Sequence, residues 1–261
     1  MPDNVVEWLI EKNDPSIRFF ALTSLLGRYL DDPVVREARM AIMENGIVPE
    51  ILDRQNNDGS WGIPERFYND KYTGTVWTLL ILAEMAADPD DQRIKNACEF
   101  IFEHSQESED GGFSYTQSAK TGAGLSSGVV PCLTGNMVCS LIKLGYLNDD
   151  RVQKAIGWIT KYQRADDAIE EAPAGSIYDR YEMCWGRHTC HMGVAKALKA
   201  LAAIPPERRC RENIIKMDEL IEYFLKHYIY KKSHDPDVIS RPGWLRLGFP
   251  LKVLKVLKEY C

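Results

Sequence analysis

Residues 75–102, "TVWTLLILAEMAADPDDQRIKNACEFIF", decide the fold. The first half is apolar nearly all round, the second half is polar along one face, and an Asp/Pro turn separates them. Val76, Leu79, Leu80, Ala83 and Ala87 recur at helical spacing in the first half. In the second half Ile94, Ala97, Cys98 and Ile101 form one stripe, with Arg93, Lys95 and Glu99 on the opposite side. The stretch predicts a helical hairpin of one enclosed helix and one surface helix.

The pattern recurs at residues 16–42 ("SIRFFALTSLLGRYLDDPVVREARMAI"), 134–159 ("TGNMVCSLIKLGYLNDDRVQKAIGWI") and 188–215 ("HTCHMGVAKALKALAAIPPERRCRENII"). Starts at 16, 75, 134 and 188 give periods of 59, 59 and 54 residues. These exceed the roughly 34 to 47 residues of tetratricopeptide and HEAT repeats, the excess lying in the connectors. "FPLKVLKVLKEYC" (249–261) reads as a fifth enclosed helix without a following partner, and "NVVEWLIEKN" (4–13) as a surface helix without a preceding one. Five helices of each kind predict an all-α chain. The expected architecture is one domain, residues 1–261, of about five helical hairpins, either an open arc or a ring closed by pairing of the two orphans.

Composition restricts the function classes. With 45% hydrophobic and 27% charged residues, the chain has an ordinary globular balance and enough apolar material for a sizeable core. A net charge of -6 with scattered Lys and Arg argues against nucleic-acid binding, which needs clustered positive charge to neutralise phosphates. The longest apolar run carries Glu84 and falls short of the roughly 20 residues of a membrane span. The N-terminal stretch lacks the basic start and unbroken apolar stretch of a signal peptide. Seven cysteines at irregular spacing fit reduced thiols better than a disulfide framework. A cytoplasmic location is expected.

The connectors carry motifs of their own. Gln55, Gly59 and Trp61 form Gln-x-x-x-Gly-x-Trp, in which glycine permits a tight turn and the glutamine caps backbone ends; "EDGGFSY" (109–115) is a weaker copy. This motif resembles the QW repeat of squalene and hopene cyclases. Repeated α-hairpins with Asp-Gly-aromatic connectors are similar to the α/α toroid of the terpenoid cyclase and protein prenyltransferase β-subunit superfamily. "DPDD" (88–91) matches the Asp-x-Asp-Asp pattern with which cyclases protonate a double bond. The same slot in neighbouring repeats holds "DDP" at Asp31 and "NDD" at Asn148, which favours an acidic turn capping each surface helix.

"CWGRHTCHMG" (184–193) places two cysteines and two histidines at the start of an enclosed helix. "HTC" resembles the start of the matching helix in farnesyltransferase β subunits, whose histidine binds zinc, so the resemblance assigns His188 that role. One repeat earlier those enzymes carry Asp-x-Cys, which here is Val130-x-Cys132: the cysteine matches and the aspartate does not. Cys184, His188 and His191 share one helical face if residues 184–191 are helical. A helix that starts later, as Gly186 allows, brings Cys190 in instead. The candidate metal ligands are therefore Cys132, Cys184, His188, Cys190 and His191. Zinc suits these donors, three of which leave an open position for a substrate thiol or water while four make a structural site. An iron-sulfur cluster is a minor alternative, as is a metal-free thiol nucleophile at Cys132 with His188 as base. Cys98, Cys139 and Cys210 read as core filler.

Aromatic residues gather in the connectors and at enclosed-helix starts. Trp61, Tyr72, Trp77, Tyr115, Trp185 and Trp244 are candidates for lining an apolar pocket, with Arg187 placed to hold an anionic head group; packing of the connectors is the alternative use. "KTGAGLSSG" (120–128) lacks phosphate-loop spacing and reads as a mobile loop. The resemblance implies a metal-dependent prenyltransferase-like or terpenoid cyclase-like protein that binds an isoprenoid or similar apolar molecule. The competing expectation is a non-catalytic helical-repeat scaffold with a structural zinc. A protein partner or homo-oligomer is compatible with either, since farnesyltransferases need an α subunit.

Overall fold

The computed structural model describes residues 4–166, 184 and 189–229. Ten α-helices are described: α1 Asn4–Leu9, α2 Pro15–Phe20, α3 Pro33–Ala41, α4 Ile47–Leu52, α5 Thr75–Glu84, α6 Gln92–His104, α7 Pro131–Lys143, α8 Asp150–Tyr162, α9 His191–Ala202 and α10 Arg211–Lys226. Helix α2 runs on into a π-helical turn, Ala21–Leu25. Strand pairing among the described residues amounts to three isolated antiparallel bridges between residues 106 and 129. No helix among the described residues is long and apolar enough to cross a membrane. The fifth enclosed helix expected at 249–261 lies outside the described residues.

Two compact units are present. One comprises the described residues up to Phe102 with Lys143–Gly145; the other comprises Glu103–Ile142 and the described residues from Tyr146 onward. In the first unit the hairpin pattern is seen side chain by side chain. Val76, Leu79, Ala83 and Ala87 are buried in and just after α5, and Ile94, Ala97, Cys98 and Ile101 are buried on one face of α6. Leu80 is half-buried. In the second unit Leu133, Met137, Val138 and Leu141 of α7, Val152, Ala155 and Ile159 of α8, Val194, Ala197 and Leu201 of α9, and Met217 and Leu220 of α10 form the core.

The acidic turns are helix caps. Asp32, Asp91 and Asp149 each precede a surface helix and accept a hydrogen bond from the backbone N–H two residues on, at 2.8, 2.7 and 2.8 Å. This satisfies a donor that the first helical turn leaves over. Asp91 and Asp149 also hold the guanidinium groups of Arg93 and Arg151, at 2.8 and 2.7 Å. The "DPDD" carboxylates thus begin α6, as the repeat register predicts.

The Gln-Gly-aromatic connectors share one construction in both units. Gln55 donates to the carbonyls of Gly59 (3.0 Å) and Arg93 (2.8 Å). Gln106 donates to those of Gly111 (2.9 Å) and Arg151 (2.8 Å). Each glutamine therefore ties the connector to the first turn of the next surface helix. Trp61 N–H donates to Thr75 Oγ1 at 3.0 Å, and Phe113 N–H to Thr134 Oγ1 at 2.9 Å, fixing the aromatic residue to the next enclosed helix. Gly59 and Gly111 have φ of +87° and +83°, and a Cβ on them would come within 2.5 Å of the Asn96 carbonyl and 2.7 Å of the Lys154 side chain. Only glycine meets both demands. The segment expected to be a mobile loop is held by backbone bonds: Leu125 N–H donates to Thr116 at 3.0 Å and Gly124 N–H to Gln106 at 3.1 Å.

Candidate functional site

Two glycines bring α7 and α9 together. A Cβ at Gly135 would lie 2.5 Å from the backbone carbon of Lys196, and one at Gly193 would lie 3.1 Å from Pro131 Cβ. The first turns of the two helices therefore lie side by side, with Cys132 in α7 and Cys190, the N-cap residue of α9, within electrostatic reach of one another. Helix α9 begins at His191 with Cys190 in extended conformation (φ -75°, ψ 110°), so the later start is the one adopted.

Three thiols gather here. The side chains of Cys184 and Cys190 are hydrogen-bonded to one another, and Cys132 interacts electrostatically with both. All three are half-buried, whereas Cys98 and Cys139 are buried in the core and Cys210 is exposed. Donation from Cys184 holds the Cys190 thiol well below its ordinary range, to about 6, against the opposing effect of burial; the N–H groups of Gly193 and Met192 at the open end of α9 assist. The same hydrogen bond pushes Cys184 up, with burial and the neighbouring sulfurs adding to it. Burial pushes Cys132 up to about 11, reinforced by Cys190 and opposed by Lys196. Of the three, Cys190 is the thiol whose surroundings favour ionisation.

A second ring of residues braces the start of α9. Arg164, almost fully buried, forms an ion pair with Asp166 at 2.6 Å, and Thr189 Oγ1 donates to Asp166 Oδ1 at 2.6 Å. Tyr223 of α10 donates to the Thr189 carbonyl at 3.3 Å. These contacts tie the residue before Cys190 to the end of α8 and to α10. Burial raises the Tyr223 phenol above its ordinary range, and the charge of Cys190 and Asp166 adds to the effect. Sequence reasoning missed this brace, because an Arg, an Asp and a Thr scattered over 25 residues carry no spacing signal.

The remaining candidate residues divide among several places. His191 packs edge-on against Tyr223 (5.1 Å between centroids) and against His227 (4.8 Å), and stacks on Phe224 at 6.1 Å. His227 is fully buried, its Nδ1 2.6 Å from the Tyr223 carbonyl, and burial lowers its pKa. His191 thereby belongs to an imidazole and aromatic cluster on α10. In the other unit Trp61 is buried, its indole N–H donating to the Ile51 carbonyl at 2.8 Å. Trp77 lies between Tyr68 (5.7 Å) and the exposed Tyr72 (5.8 Å), and donates to the Tyr68 carbonyl at 2.8 Å. Tyr72 has φ +69°, a left-handed conformation that a bulky residue rarely takes. Tyr115 is half-buried, its N–H bonded to the Gly128 carbonyl at 3.0 Å. Trp185, Arg187, His188 and Trp244 lie outside the described residues.

By themselves, the described residues contain no group of three or more His, Cys, Asp and Glu side chains arranged to hold a metal ion. The residue types nevertheless suit a soft divalent ion: three half-buried cysteines that influence one another electrostatically, with His188 close by in sequence. No protein-family model matches the chain, and no curated protein matches its sequence.

Proposed function

We propose that this protein is a zinc-dependent, prenyltransferase-like or terpenoid cyclase-like helical-repeat protein that takes up an isoprenoid or similar apolar molecule. Cys132, Cys184, Cys190 and His188 would hold the metal. The observation that carries the reading is the close approach of the helix starts that bear Cys132 and Cys190, 58 positions apart in the chain, with Cys184 acting on the second thiol. Neighbouring thiols at helix starts, one of them favoured to ionise, suit a thiolate-loving ion better than they suit plain core packing. Zinc bound there would supply the means to ionise a substrate thiol or water at neutral pH. The chain's own part is to present the sulfurs: Gly135 and Gly193 set the approach of α7 and α9, while Arg164, Asp166 and Thr189 hold Cys190 in place. The resemblance of the connectors and hairpins to the cyclase and prenyltransferase superfamily suggests the class of substrate.

A second reading is a scaffold with a structural zinc. The third thiol favours it, because three cysteines and His188 fill all four positions of a tetrahedral ion and leave none for substrate. One set of experiments tests both. Elemental analysis of the purified protein should find about one zinc per chain, lost in Cys132→Ala, and mass spectrometry should find a co-purified isoprenoid. Cobalt-substituted protein whose absorption shifts on adding a small thiol has an open position, as the enzyme reading requires. An unchanged spectrum with no bound lipid favours the scaffold, and absence of metal from reduced protein overturns both.

A further inference from the structure

In the second unit the short turns that precede α8 and α10, Tyr146–Asn148 and Pro206–Arg208, border a cleft of about 270 Å3. Leu147, Ile156 and Ile204 supply its apolar lining, and Asn148, Arg208 and Asn213 its polar lining. Asn213, in the first turn of α10, is only 6% exposed, yet its side-chain amide has no hydrogen-bond partner among the described residues. A buried amide in that state costs free energy until something in the cleft pairs with it. The two arginines beside it differ in use. Arg209 is taken up by the carbonyls of Ile204 (2.9 Å) and Ala202 (3.1 Å) at the end of α9. Arg208 instead reaches across to Asn148 Oδ1 at 2.6 Å and has no carboxylate partner among the described residues. That one bond fixes the guanidinium at the cleft and leaves other N–H donors of the fork to spare.

We propose that this cleft binds a small monocarboxylate with a short branched apolar body. The carboxylate is held by the spare N–H groups of Arg208 and by the Asn213 amide, and the hydrocarbon part lies against Leu147, Ile156 and Ile204. A guanidinium presents two parallel N–H groups to a carboxylate, and a buried amide donor adds a third bond to the same charge. The neighbouring acids limit the charge that the cleft accepts. Asp149 is paired with Arg151 at 2.7 Å, but Asp150, Glu207 and Glu212, all exposed, stand next to these turns in the chain. A single negative charge therefore suits the site better than the higher charge of phosphate. The cleft adjoins Ile204, just past the C-terminal end of α9, whereas Cys190 caps the other end. At 1.5 Å per residue the 12 residues of α9 separate the two by about 18 Å, so the site is distinct from the thiols and its test is independent of the metal reading.

The test uses the full-length protein, labelled at leucine and isoleucine methyl groups and at nitrogen, titrated with isovalerate and followed by NMR. The expected result is a saturable shift of the Leu147, Ile156 and Ile204 methyl signals and of the Asn213 side-chain NH2. Arg208→Gln, an exposed position, should weaken binding by about tenfold or more, the loss expected of a hydrogen bond to a charged group. Asn213→Leu, similar in size, should weaken binding as strongly without lowering Tm, because the amide it removes has no partner in the free protein. Isoamyl alcohol, the same skeleton without the charge, should bind about tenfold more weakly, and inorganic phosphate should not compete. No saturable shift at these methyl groups, equal binding of the alcohol, displacement by phosphate, or a Tm lowered by Asn213→Leu overturns the proposal.

Discussion

Gly135→Ala and Gly157→Ala are the same substitution in neighbouring helices, and the structure predicts opposite signs. At Gly135 the new methyl group meets one peptide group of α9 at three atoms: the Lys196 carbon at 2.5 Å, its oxygen at 2.6 Å and the Ala197 nitrogen at 2.8 Å. Ordinary contact begins at 3.4 Å, so α7 and α9 must part by the difference, 0.9 Å. No rotamer change relieves a clash with main chain. Overpacking of this kind costs up to about 3 kcal/mol, and the better helix propensity of alanine returns about 1 kcal/mol, a net loss of about 2 kcal/mol. For a chain of this size that lowers Tm by roughly 4–8 °C. Gly157 lies exposed in α8 with nothing within 4 Å of a new Cβ, so only the propensity gain of about 0.5–1 kcal/mol remains and Tm rises by roughly 1–4 °C. Thermal unfolding followed by circular dichroism reads both. Because parting α7 from α9 also parts Cys132 from Cys190, Gly135→Ala should lose metal under conditions in which Gly157→Ala keeps it. A Gly135→Ala protein as stable as wild type would refute the close-approach argument and the placement of the two cysteines that follows from it.

Two further predictions concern the connectors and caps. Gln106→Leu removes one buried and one part-buried hydrogen bond, each with a net contribution of about 0.5–1.5 kcal/mol, so urea unfolding should show a loss of about 1–3 kcal/mol; Gln55→Leu should follow in the same direction with a smaller loss, since Gln55 is less buried. The carboxyls of Asp91 and Asp149 lie below their ordinary value of 3.8, chiefly because Arg93 and Arg151 donate to them. In the unfolded chain these groups take up protons at the higher, ordinary value, so their stabilisation is complete above it and is lost as pH falls through the lowered values. A Tm-against-pH series should therefore be flatter below about pH 4 for the Asp91→Asn, Asp149→Asn double variant than for wild type, and equal slopes would contradict this.

How far the sequence could be read differs between fold and site, for physical reasons. The hairpins were legible because burial imposes a period: Val76, Leu79, Ala83, Ile94, Ala97 and Ile101 are buried where the pattern puts them. The acidic turns were legible because repetition at Asp32, Asp91 and Asp149 distinguishes a cap from a catalytic acid. The site was legible only in outline. Cysteines at enclosed-helix starts pointed to the neighbourhood of Cys132 and Cys190, but the helix start at His191, which turns Cys190 toward Cys184 and His191 toward α10, depends on local geometry that spacing does not encode. The Arg164, Asp166 and Thr189 brace had no sequence signal, since polar contacts between a loop and a helix start obey no period. Trp61 shows the limit for aromatics: a connector tryptophan reads the same whether it faces a ligand or, as here, is buried with its N–H on the Ile51 carbonyl.

The central claim is that sulfur from two neighbouring hairpins shares one ion. Zinc K-edge absorption on reduced, purified protein tests it most directly. The account predicts a shell dominated by sulfur at about 2.3 Å, with one lighter ligand, that loses one sulfur in Cys132→Ser. A shell of nitrogen and oxygen alone, or one unchanged by Cys132→Ser, would contradict it.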